Sequence, residues 1–290
     1  MLTEETKKYF RRFQQEELND AAVYQRISRM VKSEQEKEKL TAIARDEIRH
    51  ARVFAKHTGL TLRPNRFMVF CFTLLARLLG YTFVIKVMEK RENTTILKYQ
   101  VDRWQQADLK SILEDELLHE QELIAMLDEE RLHYVSDIVL GMNDALVELT
   151  GAMAGYTLAM RNTQVIAMAG LITGISATLS MASSGYLASK EDGSKNAGKS
   201  ALYTGTSYLI TVVLLVLPYL LLPATAYMPA LAITLVTALA IIAGFNYYTK
   251  VTKERPFKKS FFTMAAISLG VALISFGVGI LVKNVLGIDL

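Results

Sequence analysis

The chain has 290 residues, which is long enough for two domains, and its formal net charge is +4 at pH 7. This charge is too small to indicate a nucleic-acid partner, because the basic residues of the second half lie between apolar runs rather than in one patch. The single cysteine, Cys71, excludes an internal disulfide and any cysteine-based metal cluster. Charged residues concentrate before Tyr134 and apolar runs dominate after it. We therefore expect an all-α protein with two domains, 1–132 and 133–290.

The chain opens with two predicted helices, at about 3–31 and 34–57. Charged residues interrupt the first twenty positions, so no secretory signal is predicted there and we expect the N-terminus to stay in the cytoplasm. The first helix carries Glu17, two turns before Tyr24. The second carries Glu47 and His50, which share a face because they are three residues apart. A carboxylate and an imidazole on one face could bind one metal ion.

An apolar stretch, 67–88, follows Pro64 and is long enough to span a bilayer. A crossing here would separate the acidic residues before it from those after it. We therefore interpret it as a crossover helix that lies on the bilayer surface, with Arg77 and Lys86 reaching the lipid headgroups.

The third helix is predicted to end near Gln106, and the fourth to cover about 108–131. These two helices repeat the pattern of the first two. Glu92 precedes a tyrosine by seven residues, as Glu17 does, and Glu116 with His119 repeats the Glu-x-x-His spacing. One Glu-x-x-His pair is typical of many exposed helices. Two copies, each with its own upstream glutamate, are the ligand set of a carboxylate-bridged di-iron four-helix bundle.

On these residues, 1–130 resembles the ferritin-like superfamily, and within it the rubrerythrin-like di-iron proteins. The resemblance implies a di-iron site with the ligands Glu17, Glu47, His50, Glu92, Glu116 and His119. Glu89 resembles the additional carboxylate that rubrerythrins carry on their third helix, although it could equally be a solvated partner of Lys86 or Lys90.

Five apolar segments follow, at about 136–159, 164–188, 202–222, 227–248 and 261–282, and each is near the length that spans a bilayer. Lysines and arginines concentrate in the connections after the second and fourth segments. The positive-inside rule therefore predicts a cytoplasmic N-terminus and an external C-terminus. A ferritin-like four-helix bundle followed by a five-helix transmembrane domain is the expected architecture, in a prokaryotic inner membrane.

Asp144 and Glu148 are four residues apart on the first segment and share a face. Acidic groups inside a membrane are costly and usually line a pathway or face a partner. The alternative for Asp144 is a later segment boundary, which would leave it among the headgroups. Met181 on the second segment offers a soft thioether. We consider it a candidate ligand only because the two acidic residues accompany it.

The sequences around Asp144 and Met181 make 134–285 similar to the vacuolar iron transporter family. The resemblance implies five membrane helices, a homodimer, exchange of ferrous iron for protons, and Asp144 and Met181 in the ion pathway. Two features depart from the plant members. Thr173 stands where they carry a glutamate, and a short basic connection, 190–199, replaces their long acidic and methionine-rich insert.

The whole arrangement resembles the prokaryotic membrane-bound ferritin A proteins, which are linked to iron export and to tolerance of iron-driven peroxide stress. Carboxylate and imidazole ligands suit iron and manganese rather than copper or zinc storage. The leading hypothesis is a proton-coupled ferrous iron exporter with a cytosolic di-iron domain, and manganese is a second candidate ion. The main alternative is a membrane-anchored di-iron peroxidase or ferroxidase.

Overall fold

The computed structural model describes residues 4–98, 107–126, 134–193, 196–253 and 255–286, and these residues form helices joined by short turns, with no strand among them. The all-α prediction is confirmed for this part of the chain. The chain folds into two compact units, Met1–Glu129 and Glu130–Leu290.

The described part of the N-terminal unit contains five helices. They are α1 (Glu4–Ile27), α2 (Glu34–Thr58), α3 (Arg66–Leu79), α4 (Tyr81–Lys98) and α5 (Ala107–Met126). α1 packs along α2 and α3, α3 packs on α4, and α2 contacts α5. The predicted extension of the third helix to Gln106 and the end of the fourth at about 131 lie outside the described residues.

The ends of α1 and α2 follow from local hydrogen bonds. α1 ends at Ile27, earlier than predicted, where the Ser28 hydroxyl donates to the Gln25 carbonyl oxygen at 3.0 Å. Ser33 then caps the start of α2. Gly59 ends α2 in the left-handed conformation, with φ 66°, and its N–H donates to the Ala55 carbonyl oxygen at 2.8 Å, as its position after the helix predicts.

The apolar stretch 67–88 is not the single helix that we predicted. Gly80 separates α3 from α4 and adopts φ 97° and ψ 151°, a conformation that is open almost only to glycine. The residues after the break, Thr82 to Ile85 and Met88, are buried inside the unit. Burial by protein explains the apolar character of 82–88, so only α3 keeps an exposed apolar face.

The C-terminal unit contains the other five described helices. They are α6 (Val135–Met160), α7 (Thr163–Glu191), α8 (Ala197–Leu221), α9 (Tyr227–Lys253) and α10 (Phe257–Leu286). α6 packs against α7, α8 and α10, and large apolar side chains from these helices form the core around Tyr208 and Leu149. Gly141 lets α6 approach α8 closely, because a Cβ there would collide with the Thr204 carbonyl oxygen.

Four of these helices, α7 to α10, are long and apolar enough to cross a membrane by length and composition, which supports a multi-pass membrane protein. α6, the predicted first span, is not among the four. Its acidic residues, Asp137, Asp144 and Glu148, lower its apolar character. The five-span arrangement therefore stays a prediction.

Candidate metal centre and membrane pocket

Three helices of the N-terminal unit bring their acidic and histidine side chains together. Glu17 comes from α1, Glu47 and His50 from α2, and Glu116 from α5, and each offers a ligand atom within 4.8 Å of the others. All four residues are buried. Buried carboxylates are rare unless they are paired or bind a metal, so this cluster is a candidate metal site.

Glu47 and Glu116 each direct one oxygen toward each histidine. Oxygens of Glu47 lie 3.8 Å from His50 Nδ1 and 3.7 Å from His119 Nδ1. Oxygens of Glu116 lie 2.8 Å from His50 Nδ1 and 3.6 Å from His119 Nδ1. The two imidazole rings are 6.0 Å apart between centroids. Each of the two carboxylates is therefore shared by the two imidazoles.

The donor atoms that face this centre fit a metal. Among the described residues, Glu47 Oε2, both oxygens of Glu116, and Nδ1 of His50 and His119 are buried without a hydrogen bond of good geometry. Unsatisfied buried polar atoms cost free energy, and a bound cation would satisfy all of them at once. Oxygen and imidazole donors suit Fe(II) or Mn(II).

The outer nitrogen of each histidine contacts an aspartate from the other Asp-Glu-x-x-His copy. His50 Nε2 lies 3.2 Å from Asp115 Oδ2, and His119 Nε2 lies 3.4 Å from Asp46 Oδ2. Arg49 contacts both aspartates, at 2.9 Å from Asp46 and 2.8 Å from Asp115. Such partners fix the tautomer and orientation of a ligating imidazole. The sequence did not lead us to these three residues, although an aspartate precedes the glutamate in both copies.

Without a metal, the carboxylates hold both histidines protonated. Burial alone would lower the pKa of His50, but its close contacts with Glu116 and Glu47 and their negative charge raise it to about 10. Burial would also lower the pKa of His119. The contact with Glu116 and the negative charges of Glu47 and Glu116 outweigh burial and raise this pKa to about 9. Metal binding must therefore displace protons from this site.

Glu89 on α4 also lies near the cluster. The Tyr24 hydroxyl donates a hydrogen bond to Glu89 Oε1 at 2.5 Å. Burial raises the pKa of Glu89 to about 8, and the nearby charges of Glu116 and Glu47 act in the same direction. The structure therefore places Glu89 half-buried and hydrogen-bonded to Tyr24, rather than fully exposed to solvent. The backbone of Glu92 belongs to α4, but its side chain lies outside the described part.

A buried ion pair holds α4 against α1 one turn from Glu17. Arg91 Nη2 contacts both oxygens of Asp20, at 2.7 and 2.6 Å. Burial raises the pKa of Asp20 to about 7, although the charge of Arg91 lowers it. The sequence contains no pattern that indicates this pair, because its members are 71 residues apart.

The C-terminal unit has an open pocket of about 520 Å³ between α6 and α7, and it brings together the three side chains that we predicted for the ion pathway. Asp144 and Glu148 line it from α6, and Met181 lines it from α7. The other lining residues recur at helical spacing along α7, namely Ile172, Thr173, Ser176, Ala177 and Ser180. Carboxylates, hydroxyls and one thioether therefore face the same space.

Two tyrosines support the polar groups of this pocket. The Tyr208 hydroxyl, from α8, donates to Glu148 Oε2 at 2.9 Å, and Tyr208 is fully buried. Tyr156 and Thr173 pair through their hydroxyls at 3.1 Å. Tyr208 was not predicted, since a tyrosine in an apolar segment has no distinctive spacing. It orients one of the two acidic groups.

Comparison with models of known protein families gives a match in the C-terminal unit. The model of the VIT family matches residues 135–196, which cover α6, α7 and the turn that follows. This segment and the four apolar helices fit a vacuolar iron transporter membrane domain, and the match supports a metal-ion transporter in general. No curated protein and no solved structure gives a significant match to the chain.

Proposed function

We propose that this protein is a proton-coupled transporter that moves ferrous iron out of the cytoplasm, and that its N-terminal unit is a cytosolic di-iron domain. The observation that carries the proposal is the pocket that groups Asp144, Glu148 and Met181 within the segment that matches the VIT family. An anchor has no need of two carboxylates on a helix otherwise rich in apolar residues.

The chemistry of the pocket suits reversible binding of a divalent ion. Asp144 and Glu148 can each carry either a proton or part of the charge of a cation, so exchange between the two couples metal movement to a proton gradient. Tyr208 holds the Glu148 carboxylate in place through its hydroxyl. The Met181 thioether adds a soft ligand, which favours Fe(II) over Mg(II) or Ca(II). Mn(II) is a second candidate substrate, since carboxylates bind both ions.

The direction of transport follows from the proposed topology. Basic residues cluster after α7, at 190–199, and after α9, at 250–259. If these turns face the cytoplasm and α6 also crosses the membrane, as we propose, the N-terminal unit faces the cytoplasm too, and the candidate metal centre meets the cytoplasmic iron pool. We also propose a homodimer. Gly270 and Gly277 on α10 face open space, which would permit close packing with a second copy.

The buried centre of the N-terminal unit favours a second function. Glu17, Glu47, Glu116, His50 and His119 would hold two iron ions, with Glu89 and Glu92 as further candidate ligands. Iron bound there would supply electrons to oxygen or peroxide, as in a ferroxidase or peroxidase. The chain itself would position the ions through the aspartate contacts of the two histidines and exclude water by burial. The alternative function is therefore a membrane-anchored di-iron enzyme.

Flux measurements in proteoliposomes test the transport proposal. We expect Asp144→Asn to abolish Fe(II) uptake and the accompanying proton movement, because it removes an exchangeable charge from the pocket. Asp137→Asn is the matched control, since it makes the same change on the same helix away from the pocket. It should retain flux near the unaltered level.

Two results would count against the proposal. If Asp144→Asn and the unaltered protein move Fe(II) equally well, the pocket is not the pathway. If neither differs from empty liposomes while the protein consumes peroxide with Fe(II), the anchored-enzyme alternative is favoured.

A further inference from the structure

Helix α3 presents a continuous apolar face to its surroundings. Phe67 is 76% exposed, Phe70 57% and Leu78 65%. Leu74 lies between them at helical spacing, and Leu75 and Leu79 extend the same face on one side. Isolated exposed apolar residues are common, but a stripe along the full length of one helix indicates a surface that is normally covered.

The opposite face fixes α3 in place. Val69 and Ala76 are buried, at 1% and 4% exposure, in the packing of α3 against α1 and α4. Asn65 caps the helix, and its own N–H donates to Asn19 Oδ1 on α1 at 2.7 Å. The helix therefore cannot turn its apolar face inward without losing these contacts.

The charged side chains of the segment that contains α3 have one sign. The segment from Gly59 to Met88 contains no aspartate or glutamate. Arg66 and Arg77 are exposed and eleven residues apart, which is about three helical turns, so they flank the same side of the apolar stripe. Arg63 adds an exposed cation just before the helix. Apolar side chains flanked by arginines are typical of helices that lie in a membrane surface.

We propose that α3 docks on the surface of a lipid bilayer, with Phe67, Phe70, Leu74 and Leu78 inserted below the headgroups and the arginines among anionic phosphates. The described part of the chain carries four membrane-capable helices, so a bilayer is the apolar partner that the protein meets in any case. A second copy fits less well. The 14-residue helix is only about 21 Å long, and a stable interface needs roughly 800 Å² from each partner. The proposal is independent of the transported ion.

A single-cysteine reporter in the full chain tests this docking. In a Cys71→Ser background, Phe70→Cys carries an environment-sensitive fluorophore on the apolar face, and Glu38→Cys carries it on the exposed surface of α2. Each protein is placed in nanodiscs of phosphatidylcholine with or without phosphatidylglycerol. Doxyl-labelled lipid then measures contact with the acyl chains.

We expect the reporter at position 70 to emit at shorter wavelength than the reporter at 38, and to be quenched by shallow doxyl groups where the reporter at 38 is not. Arg66→Gln should lower the docked-to-undocked ratio by roughly fivefold in anionic nanodiscs, because one basic residue is lost near the phosphates. It should have little effect in phosphatidylcholine alone. The triple change Phe67→Ser, Leu74→Ser and Leu78→Ser should bring the emission at position 70 to that at 38.

Two results would overturn the proposal. Water-like emission and equal quenching at positions 70 and 38 would mean that α3 stays in solution. Shielding at position 70 without lipid quenching, together with cross-links between copies, would identify the apolar face as an interface between two chains. Because the comparison of positions 70 and 38 supplies the main readout and does not use the triple variant, misfolding of that variant cannot decide the outcome.

Discussion

At the residue scale, each histidine of the candidate metal centre has carboxylate contacts at both ring nitrogens. On the inner side, Glu47 and Glu116 face both imidazoles. On the outer side, Asp115 and Asp46 each contact the histidine of the opposite Asp-Glu-x-x-His copy. The cross-pairing ties α2 to α5, so ligand orientation depends on residues that do not themselves face the centre.

We expect Asp115→Asn to weaken metal binding by roughly 10- to 100-fold, because the substitution replaces the charged acceptor that orients His50 with a neutral amide. Titration of the full chain with Co(II), followed by its visible absorption, measures the affinity. Glu38→Gln is the matched control, since it removes a carboxylate from the exposed surface of α2. Equal affinities for the two variants would show that the Asp115 contact has no role in ligand positioning.

Metal binding should release about two protons at pH 7, because Nδ1 of each histidine must lose its proton to become a ligand. The pKa values of about 10 for His50 and about 9 for His119 keep both protonated before binding. Metal affinity should therefore rise with pH up to about pH 10, the pKa of the more basic histidine. Calorimetry in buffers of different ionisation enthalpy counts the protons. His119→Gln should reduce the release to about one, whereas His57→Gln should leave it unchanged.

The same shifts have a defined effect on stability. Both folded-state pKa values are raised above the ordinary histidine value of 6.5. Their contribution to the metal-free fold is therefore fully present below pH 6.5 and is lost as pH rises through about 9 and 10. A metal-free protein whose stability increases over that range would contradict the proposed protonation.

At the scale of elements, the break at Gly80 decides what the apolar stretch 67–88 becomes. It turns the chain so that 82–88 enters the protein core while α3 remains outside. Gly59 also has a positive φ, but its φ of 66° and ψ of 12° lie in the left-handed helical region. Asparagine tolerates that region, whereas the Gly80 conformation is open almost only to glycine.

Gly80→Asn should therefore lower the free energy of unfolding of the N-terminal unit by about 1–3 kcal/mol, and Gly59→Asn should have a much smaller effect. The urea dependence of Cys71 alkylation in the full chain measures this, because Cys71 is half-buried on α3. If the two substitutions lowered the free energy of unfolding equally, the backbone conformation of Gly80 would not be the reason that this position requires glycine.

At the scale of the whole molecule, two sets of ionisable groups lie in separate compact units. The metal centre belongs to 1–129 and the membrane pocket to 130–290. Each set has its own supporting contacts, from Arg49 in the first unit and from Tyr208 in the second. The two units therefore allow two activities that substitutions can separate.

The double change Glu47→Gln and Glu116→Gln should abolish metal binding by the N-terminal unit while Fe(II) flux continues at a reduced or deregulated rate. Asp144→Asn should abolish Fe(II) flux while metal binding by the N-terminal unit continues. Parallel assays of Co(II) binding and proteoliposome flux on the same preparations check this. Loss of both activities in each variant would mean that the two sites work as one.

Much of the candidate chemistry could be predicted from residue spacing alone. The doubled Asp-Glu-x-x-His pattern places Glu47, His50, Glu116 and His119 on helix faces, because a helix brings residues three apart to one side. The same rule pairs Asp144 with Glu148. Long apolar runs likewise predict membrane-capable helices from length and composition.

Only the tertiary structure decided which distant groups meet. The contacts of Asp46 and Asp115 with the opposite histidine, of Arg91 with Asp20, and of Tyr208 with Glu148 join residues at least 60 positions apart, and no local periodicity encodes such pairs. The tertiary structure also decided which residues of 67–88 are exposed and which are buried. Apolar composition is the same for a buried helix and a lipid-facing one, and only packing against α1 separates the exposed face of α3 from the buried residues of α4.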